Sequence, residues 1–319
     1  DWVGWWDGWG DAWQIDQGDA RISESELRAI HLPPYSATVQ AGVMTVMASY
    51  NSWNGEKMHG HRRMLTEVLK GELGFQGFVV SDWMGVDQIA SDYEDAAVAA
   101  INAGIDMVMV PEDFRRFIDV MKRAISSGRI PMPRIDDAVR RILRTKSAAG
   151  LFENDVEPPP LSVIGAPEHR ALAAEAARRS AVLLKNEGAL PFPSGTRKVL
   201  VAGQAADDIG LQCGGWTVGW QGGSGPTTAG STLLDGLRAS FPGSVEYDPS
   251  GRFEGHGDVA VVCIAEPPYA EGPGDRAEPT ASKEDRALFA RVREHADILV
   301  LVVYTGRPLA IPDLIDRAD

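Results

Sequence analysis

Two loops of the sequence place carboxylates beside aromatic residues, each directly after an apolar run of strand length. In the first, Phe78, Val79 and Val80 form an apolar run between turn signals, and Ser81-Asp82-Trp83 follows it. Such a run predicts a buried strand, and α/β enzymes keep their chemistry at the carboxyl ends of parallel strands. Asp82 is therefore a candidate catalytic carboxylate, and the flat face of Trp83 suits a sugar ring. The alternative is that Asp82 caps the next helix and Trp83 belongs to the core.

The second loop, residues 265–275, also follows an apolar run and contains three acidic residues, Glu266, Glu271 and Asp275. Glycosidic bonds are cut by two carboxyl groups, one of which attacks or activates water while the other protonates the leaving oxygen. Asp82 and either Glu266 or Glu271 are candidates for such a pair across a domain interface. The alternative is two unrelated surface loops of an acidic protein.

Tryptophans occur in two further loops. The glycine-rich segment 213–223 contains Trp216 and Trp220, which are candidate stacking planes for sugars. It lacks the glycine spacing and the strand-to-helix context of a dinucleotide site, which excludes a phosphate-binding role. Five of the nine tryptophans lie in residues 1–13, which show no clear periodicity. This segment predicts either a carbohydrate-facing surface or packing beneath a domain.

Composition narrows the possible partners. The chain has 319 residues, 44% of them hydrophobic, which is enough for two domains or one barrel. A net charge of -14 argues against nucleic acid and anionic membranes, although solubility alone explains the charge. No apolar run has the length that membrane insertion requires. The two cysteines, Cys213 and Cys263, match no metal-ligand spacing.

Residues 1–150 alternate between strand and helix patterns. Ser23 and Glu26 form a capping-box pattern that opens a helix through about Ala41, which Pro33-Pro34 should kink or divide. The patterns predict strands at 43–50, 78–80 and 106–110 and helices at 62–74, 92–103, 114–127 and 135–148. Alternation of this kind predicts parallel strands. A closed (β/α)8 barrel typically needs about 250 residues, so we expect residues 1–150 to be its C-terminal part.

The proline-rich residues 151–166 are predicted to be a linker before an α/β domain at 167–319. The patterns predict strands at 181–185, 199–202, 259–265 and 298–304 and helices at 168–179, 232–240 and 283–295. We expect a mainly parallel sheet with helices on both faces. The chain has no initiator methionine or signal peptide and both its ends are abrupt, so we expect an excerpt of a longer protein.

Several motifs together resemble glycoside hydrolase family 3, and most closely its exo-β-glucanase and β-glucosidase branch. The segments that carry the resemblance are Val46–Gly55, Gly77–Val86, Gly104–Pro111, Arg134–Leu143, Val182–Asn186, 214–223 and 268–275. The resemblance covers nearly the whole chain. It implies a (β/α)8 barrel with the nucleophile, followed by an α/β sandwich domain that supplies the acid/base.

The resemblance also implies roles for individual residues. Asp82 matches the nucleophile and Glu271 the acid/base, with Glu271 preferred over Glu266 because it lies farther out on its loop. Trp83 and Trp220 match the two walls that clamp the sugar. Met47 and Tyr50 match positions near the nucleophile, where a tyrosine hydroxyl can steady the carboxylate.

The implied reaction is a retaining exo-hydrolysis of β-linked glucosides or gluco-oligosaccharides, without metal or cofactor. In that mechanism the two carboxyl groups lie about 5 to 5.5 Å apart. The resemblance suggests a periplasmic or secreted protein. The family's lysine–histidine pair is absent, Gln88 stands where a relative has an arginine, and His59 and His61 are predicted to have surface or loop-packing roles.

Other activities remain open at this point. β-Xylosidase, N-acetyl-β-glucosaminidase and phosphorolysis occur on the same scaffold, although the second domain weighs against the glucosaminidase branch. A noncatalytic carbohydrate-binding protein is the alternative from a different class, and the presence of both candidate carboxylates weighs against it.

Overall fold

A computed structural model of the chain describes residues 17–152 and 158–319. They fall into two compact units that divide between Pro158 and Pro159. The tryptophan-rich residues 1–13 lie outside the described part of the chain, so the prediction for them stays a prediction.

The first unit contains five short strands and five α-helices among its described residues. The strands are β1 (Asp19–Ala20), β2 (Thr45–Met47), β3 (Ser52–Trp53), β4 (Glu56–Lys57) and β5 (Phe78–Val80). The α-helices are α1 (Glu24–Ile30), α2 (Leu32–Gln40), α3 (Tyr93–Ala103), α4 (Phe114–Ser126) and α5 (Met132–Ala148), with a π-helix at Arg63–Glu72 and 3-10 turns at Met58–Gly60 and Gly85–Gln88.

The first two helices show how the sequence sets helix boundaries. The predicted capping box is present, because Ser23 accepts a hydrogen bond from the Glu26 N–H and Glu26 accepts one from the Ser23 N–H. The predicted division also occurs: α1 ends at Ile30, and α2 places its prolines in the first turn. Proline is tolerated there because the first-turn N–H groups have no partner within the helix.

Parallel pairing in this unit centres on β5. Val46 of β2 pairs with Val79 of β5, and a single parallel bridge joins Val80 to Met107. The predicted strand 106–110 therefore shortens to one bridge. Strands β1, β3 and β4 form a separate small sheet. In the hydrophobic core of this unit, Phe75, Val79 of β5 and Ile105 are fully buried. The pairing forms no closed barrel among the described residues.

A buried ionic cluster holds the backbone of β5. The Asp106 carboxylate accepts hydrogen bonds from Lys70 Nζ at 2.8 Å and from the Val79 N–H at 2.8 Å, and it also pairs with Arg134. The Lys70 ammonium lies against the Gly104 carbonyl at 2.7 Å. Burial lowers the pKa of Lys70 to about 8, although Asp106 opposes the shift. Charged groups that are buried this deeply are tolerated only when each of them is paired. The contacts of Asp106 therefore fix the position of the β5 backbone.

The second unit contains four strands and five α-helices among its described residues. The strands are β6 (Lys198–Ala202), β7 (Ser244–Asp248), β8 (Gly257–Ala265) and β9 (Ala296–Tyr304). The α-helices are α6 (Pro167–Ser180), α7 (Ile209–Cys213), α8 (Leu233–Ser240), α9 (Lys283–Arg293) and α10 (Pro312–Ile315), with 3-10 turns at Leu161–Val163, Gln204–Asp207 and Gly272–Gly274.

The four strands form one parallel sheet in the order β7-β6-β8-β9. Its two faces carry separate cores: Leu200 packs in the same cluster as Phe289 of α9, and Val199 packs in the cluster that contains Leu234 of α8. The predicted parallel sheet with helices on both faces is therefore confirmed. From β6 the chain adds β7 on one side of the sheet and then β8 and β9 on the other, so the strand order reverses between β6 and β8. In open α/β sheets, ligand sites lie beyond the carboxyl ends of the strands at such a point.

One prediction for this unit was wrong, and one strand was missed. Residues 181–185 form no strand and pair with no strand of the described residues, and Val182, Leu183 and Leu184 are exposed. Strand β7, in contrast, was not predicted. Its sequence Ser-Val-Glu-Tyr-Asp lacks a continuous apolar run, because an edge strand is only partly buried.

Candidate active site

Asp82 lies in the turn that leaves the carboxyl end of β5. The buried Ser81 before it donates its N–H to the Met107 carbonyl at 2.9 Å. The Ser81 hydroxyl accepts the Met109 N–H at 2.7 Å and donates to the Asp82 carbonyl at 2.9 Å. The serine thus ties the Asp82 backbone to the segment that follows Met107. A carboxylate at the end of a parallel strand is placed as the sequence predicts.

A second side chain, that of His59, binds the backbone N–H of Asp82. Its Nε2 accepts the Asp82 N–H at 2.9 Å, and its side chain is fully buried. Burial, aided by the charge of Lys57 and opposed by the Ser49 backbone, lowers the pKa of His59 to about 4. The ring is therefore neutral near pH 7, with Nε2 free to accept. His59 and His61 were predicted to have surface or loop-packing roles. Both are buried, which excludes the surface role, and His61 stacks against Trp53 with ring centroids 5.3 Å apart.

Sequence reasoning missed His59 as a partner of Asp82. One signal was Gly85, where a Cβ would lie 2.3 Å from His59 Nε2, so only glycine fits against the ring. That signal is visible only once the fold brings the two segments together.

The other predicted residues of this unit lie around the same turn. The Tyr50 hydroxyl donates to the Trp83 carbonyl, and Tyr50 packs its ring 6.0 Å from that of His59. Met47 ends β2 directly opposite Val80 and is 51% exposed. Trp83 is also 51% exposed, so it is not a core residue.

The alternative role for Asp82 as a helix cap is also wrong. Asp82 Oδ1 accepts the N–H of the adjacent Trp83 at 2.7 Å, whereas the next 3-10 turn begins at Gly85, with Met84 as its N-cap and no side-chain cap. Helix α3 is capped by Asp92. The structure thus leaves Asp82 half-buried at the strand end, with no helix to cap.

In the second unit, Glu266 and Glu271 have opposite environments. Glu266 is buried, and it accepts hydrogen bonds from Arg307 Nη2 at 2.7 Å and Thr305 Oγ1 at 2.7 Å. Burial opposes its ionisation, but these hydrogen bonds outweigh burial and hold the pKa of Glu266 below its ordinary value. Glu271 is exposed and has φ 56° and ψ -142°. Of the two, only Glu271 presents its side chain to solvent.

The two tryptophans of the glycine-rich loop lie beside one another. Trp216 is 68% exposed and Trp220 is half-buried, with ring centroids 6.5 Å apart. The Trp216 N–H donates to the Trp220 carbonyl at 2.9 Å. The loop therefore brings the two indole rings side by side, with their planes tilted by 58°.

Backbone strain concentrates around the predicted site residues. Within residues 17–152 and 158–319, five residues other than glycine have positive φ: Asn54, Met84, Trp216, Val218 and Glu271. Met84 lies two residues after Asp82, and the last three lie in the two loops of the second unit. Such conformations cost about 1–3 kcal/mol each and occur preferentially at functional sites.

Two kinds of feature are absent from the described residues. No helix there combines the length and the apolar character that crossing a membrane requires. No group of three or more His, Cys, Asp or Glu side chains there is arranged to hold a metal ion.

The family follows from comparison with known proteins. The family model described as "Glycosyl hydrolase family 3 N terminal domain" matches residues 11–145, and "Glycosyl hydrolase family 3 C-terminal domain" matches residues 181–319. The chain belongs to glycosyl hydrolase family 3. The predicted resemblance is thereby confirmed.

Individual relatives and solved structures agree with this assignment. The chain is 34% identical to a lysosomal beta glucosidase of Dictyostelium discoideum, over 93% of the chain and 40% of the relative. It is 30% identical to a beta-xylosidase of Formosa agariphila, over 93% of the chain and 45% of the relative. The crystal structure of an exo-1,3/1,4-beta-glucanase from a Pseudoalteromonas species matches with a TM-score of 0.88 and 39% identity, over 95% of the chain and 40% of the other protein. The chain thus spans less than half the length of these three proteins.

Proposed function

We propose that the protein is a retaining, exo-acting β-glucosidase or exo-β-glucanase that removes glucose from the nonreducing end of β-linked glucosides. The observation that carries the proposal is Asp82, which is held at the carboxyl end of β5 by hydrogen bonds to both its N–H and its carbonyl. The relatives named as beta-glucosidase and exo-1,3/1,4-beta-glucanase support glucose as the sugar and a chain end as the site of attack.

In the first step, the Asp82 carboxylate attacks the anomeric carbon while the bond from that carbon to the leaving oxygen breaks. Glu271, as the carboxylic acid, donates its proton to that oxygen. In the second step, water attacks the anomeric carbon, Glu271 takes the proton from the water, and the bond to Asp82 breaks. Two displacements at one carbon retain its configuration, and the steps need no metal or cofactor.

The different environments of the two glutamates support Glu271 as the acid/base. A general acid must be protonated when substrate binds and must be able to reach the leaving oxygen. Glu266 is ionised and held by Arg307 and Thr305, so it suits a structural role. Glu271 lies five residues farther along the loop and is exposed.

The aromatic residues fit the recognition of sugars. Trp83 and Trp216 expose more than half of their surface, which is unusual for tryptophan unless a ligand covers it. We assign Trp83, Trp216 and Trp220 to sugar stacking, and Tyr50 and Met47 to the surroundings of the nucleophile. Tyr50 would act through the Trp83 carbonyl that it contacts.

We also propose the finer architecture that the family implies. The parallel pairing of β2, β5 and Met107 is consistent with the C-terminal part of a (β/α)8 barrel in residues 1–150. Residues 167–319 would then form the α/β sandwich domain after the linker 151–166.

The decisive experiment is covalent trapping. The full-length protein is incubated with a 2-deoxy-2-fluoro-β-glucosyl donor, which slows the second step. The masses of its proteolytic peptides are then measured. We expect a mass increase of one fluoroglucosyl group on the peptide that contains Asp82. A label on another carboxylate, or turnover with inversion of configuration, would contradict the mechanism.

A β-xylosidase is the second candidate, because one of the similar proteins carries that name. Rates on an aryl β-glucoside and on the matching aryl β-xyloside distinguish the two. Sugar binding without any turnover would instead favour a noncatalytic carbohydrate-binding protein.

A further inference from the structure

The residue before Glu271 is held by a side chain from the tryptophan loop. Gln221 Oε1 accepts the Ala270 N–H at 2.9 Å, and Gln221 Nε2 donates to the Ala270 carbonyl at 3.1 Å. One amide side chain thus satisfies both backbone groups of a residue that is 4% exposed. Paired bonds of this kind fix the position and the orientation of the backbone, because neither bond can rotate independently of the other.

The glycines of the same loop allow the two segments to approach each other closely. A Cβ at Gly215 would lie 2.0 Å from the Tyr269 carbonyl oxygen, and a Cβ at Gly222 would lie 3.0 Å from Pro268 Cβ. Residues 214–222 therefore lie along residues 268–270 at backbone contact distance. The glycines of this loop thus have a structural role, which is to allow the close approach. The sequence pattern alone had only excluded a role in phosphate binding.

The geometry of Glu271 requires such support. With φ 56° and ψ -142°, its backbone occupies a region that residues with a side chain rarely adopt. A strained residue keeps its conformation only when the surrounding contacts determine it. On the amino-terminal side of Glu271, Gln221 makes those contacts. On the carboxyl side, the Gly274 N–H donates to the Glu271 carbonyl at 2.9 Å.

We infer that Gln221 is a positioning residue for the acid/base, and that the glycine-rich loop 213–223 serves to hold Glu271 as well as to present tryptophans. The inference rests on the proposed function, in which Glu271 donates and removes the proton. Gln221 acts through the Ala270 peptide and takes no part in bond making.

The test compares Gln221→Ala with the matched variant Gln212→Ala in the full-length polypeptide. Gln212 also bonds to backbone carbonyls of this unit, those of Ala205 at 2.8 Å and Ala206 at 3.2 Å, but it lies on α7. Each variant is assayed for kcat/KM on an alkyl β-glucoside, whose leaving oxygen needs a proton, and on 2,4-dinitrophenyl β-glucoside, whose leaving group departs without one.

We expect Gln221→Ala to reduce kcat/KM on the alkyl glucoside by roughly tenfold more than on the dinitrophenyl glucoside, because misplaced acid catalysis affects only the former. Gln212→Ala should leave the ratio of the two values unchanged. Equal losses on both substrates, or no loss, would overturn the role of Gln221. A wild-type protein that cleaves neither glucoside and takes no label at Asp82 would instead overturn the proposed function itself.

Discussion

The turn that carries Asp82 and the loop that carries Glu271 are held in different ways. The backbone of Asp82 is hydrogen-bonded to the imidazole of His59 and to the hydroxyl of Ser81, and both of these residues are fully buried in the first unit. Glu271 sits on an exposed loop that a second loop holds through one side-chain amide. The proposed nucleophile thus depends on contacts with the core, and the proposed acid/base depends on contact between loops.

The proposed chemistry accounts for this difference. A nucleophile forms a bond to carbon, so a small displacement of its carboxylate greatly lowers the rate of the reaction. The acid/base transfers protons to and from oxygens that enter and leave, and it must serve both steps. A group held by loops can be adjusted without disturbing a core, whereas a group held by the core cannot.

Replacing the two carboxylates gives the largest expected effects and tests whether the roles differ at all. Asp82→Asn should reduce kcat by about 10⁴-fold on every β-glucoside, because no covalent intermediate can form. Glu271→Gln should reduce kcat/KM on an alkyl glucoside by about 10²- to 10³-fold and have little effect on the dinitrophenyl glucoside. Added azide should restore turnover of Glu271→Gln and release β-glucosyl azide. Release of the α-azide would show that the assignment is reversed.

Removing the imidazole from the Asp82 turn should come next in size. His59→Leu deletes the acceptor for the Asp82 N–H. We expect kcat/KM to fall by about 10²-fold, and equally on both glucosides, since attack by the same carboxylate is part of the first step whichever leaving group departs. His59→Gln retains an acceptor and should recover most of the rate. If the loss were selective for the alkyl glucoside, His59 would act on proton transfer, contrary to the contrast drawn above. Circular dichroism of each variant separates this effect from unfolding.

His59 should also make the first unit sensitive to acid. The pKa of His59 falls from 6.5 to about 4 on folding, so between these values the unfolded chain binds a proton that the folded chain does not. Above pH 6.5, His59 therefore does not reduce the free energy of unfolding. As the pH falls toward 4, its protonation in the unfolded chain lowers that free energy by on the order of 3 kcal/mol. Urea unfolding at pH 7 and pH 4 measures this loss, and His59→Gln should be less sensitive to pH by that amount. Equal pH dependence in the two proteins would refute the prediction.

Truncating the exposed tryptophans should give the smallest effects and leave both supports intact. Trp83→Ala and Trp216→Ala should raise KM for a gluco-oligosaccharide by roughly tenfold while they change the free energy of unfolding by less than about 0.5 kcal/mol. Both side chains are more than half exposed, so little packing is lost. A large loss of stability in either variant would indicate a packing role instead.

Local patterns predicted the elements that present the site. The strands β5, β6, β8 and β9 are continuous apolar runs because both faces of their sheets are covered, and such runs are visible in sequence. The carboxylates after β5 and β8 were found because the residue types change abruptly where those strands end. Strand β7 and the bridge at Met107 were not predicted correctly, because pairing with a neighbour, rather than composition, decides them.

The supporting residues could not be predicted for a related reason. His59 reaches a residue 23 positions later, and Gln221 reaches one 49 positions later. Neither side chain belongs to a pattern with a period, and each contact exists only when two separate segments have already folded. A single histidine or glutamine in a loop carries no sign of its partner.

The paired amide of Gln221 has a consequence for protein engineering. Because residues 214–222 and 268–270 meet at backbone distance, a sequence change in one segment alters the shape that the other must match. A designer who wishes to transfer substrate preference from a relative would have to exchange segments 213–223 and 266–275 as a single cassette. Exchange of either segment alone would leave a hybrid in which the proposed acid/base, Glu271, is misaligned although its side chain is present.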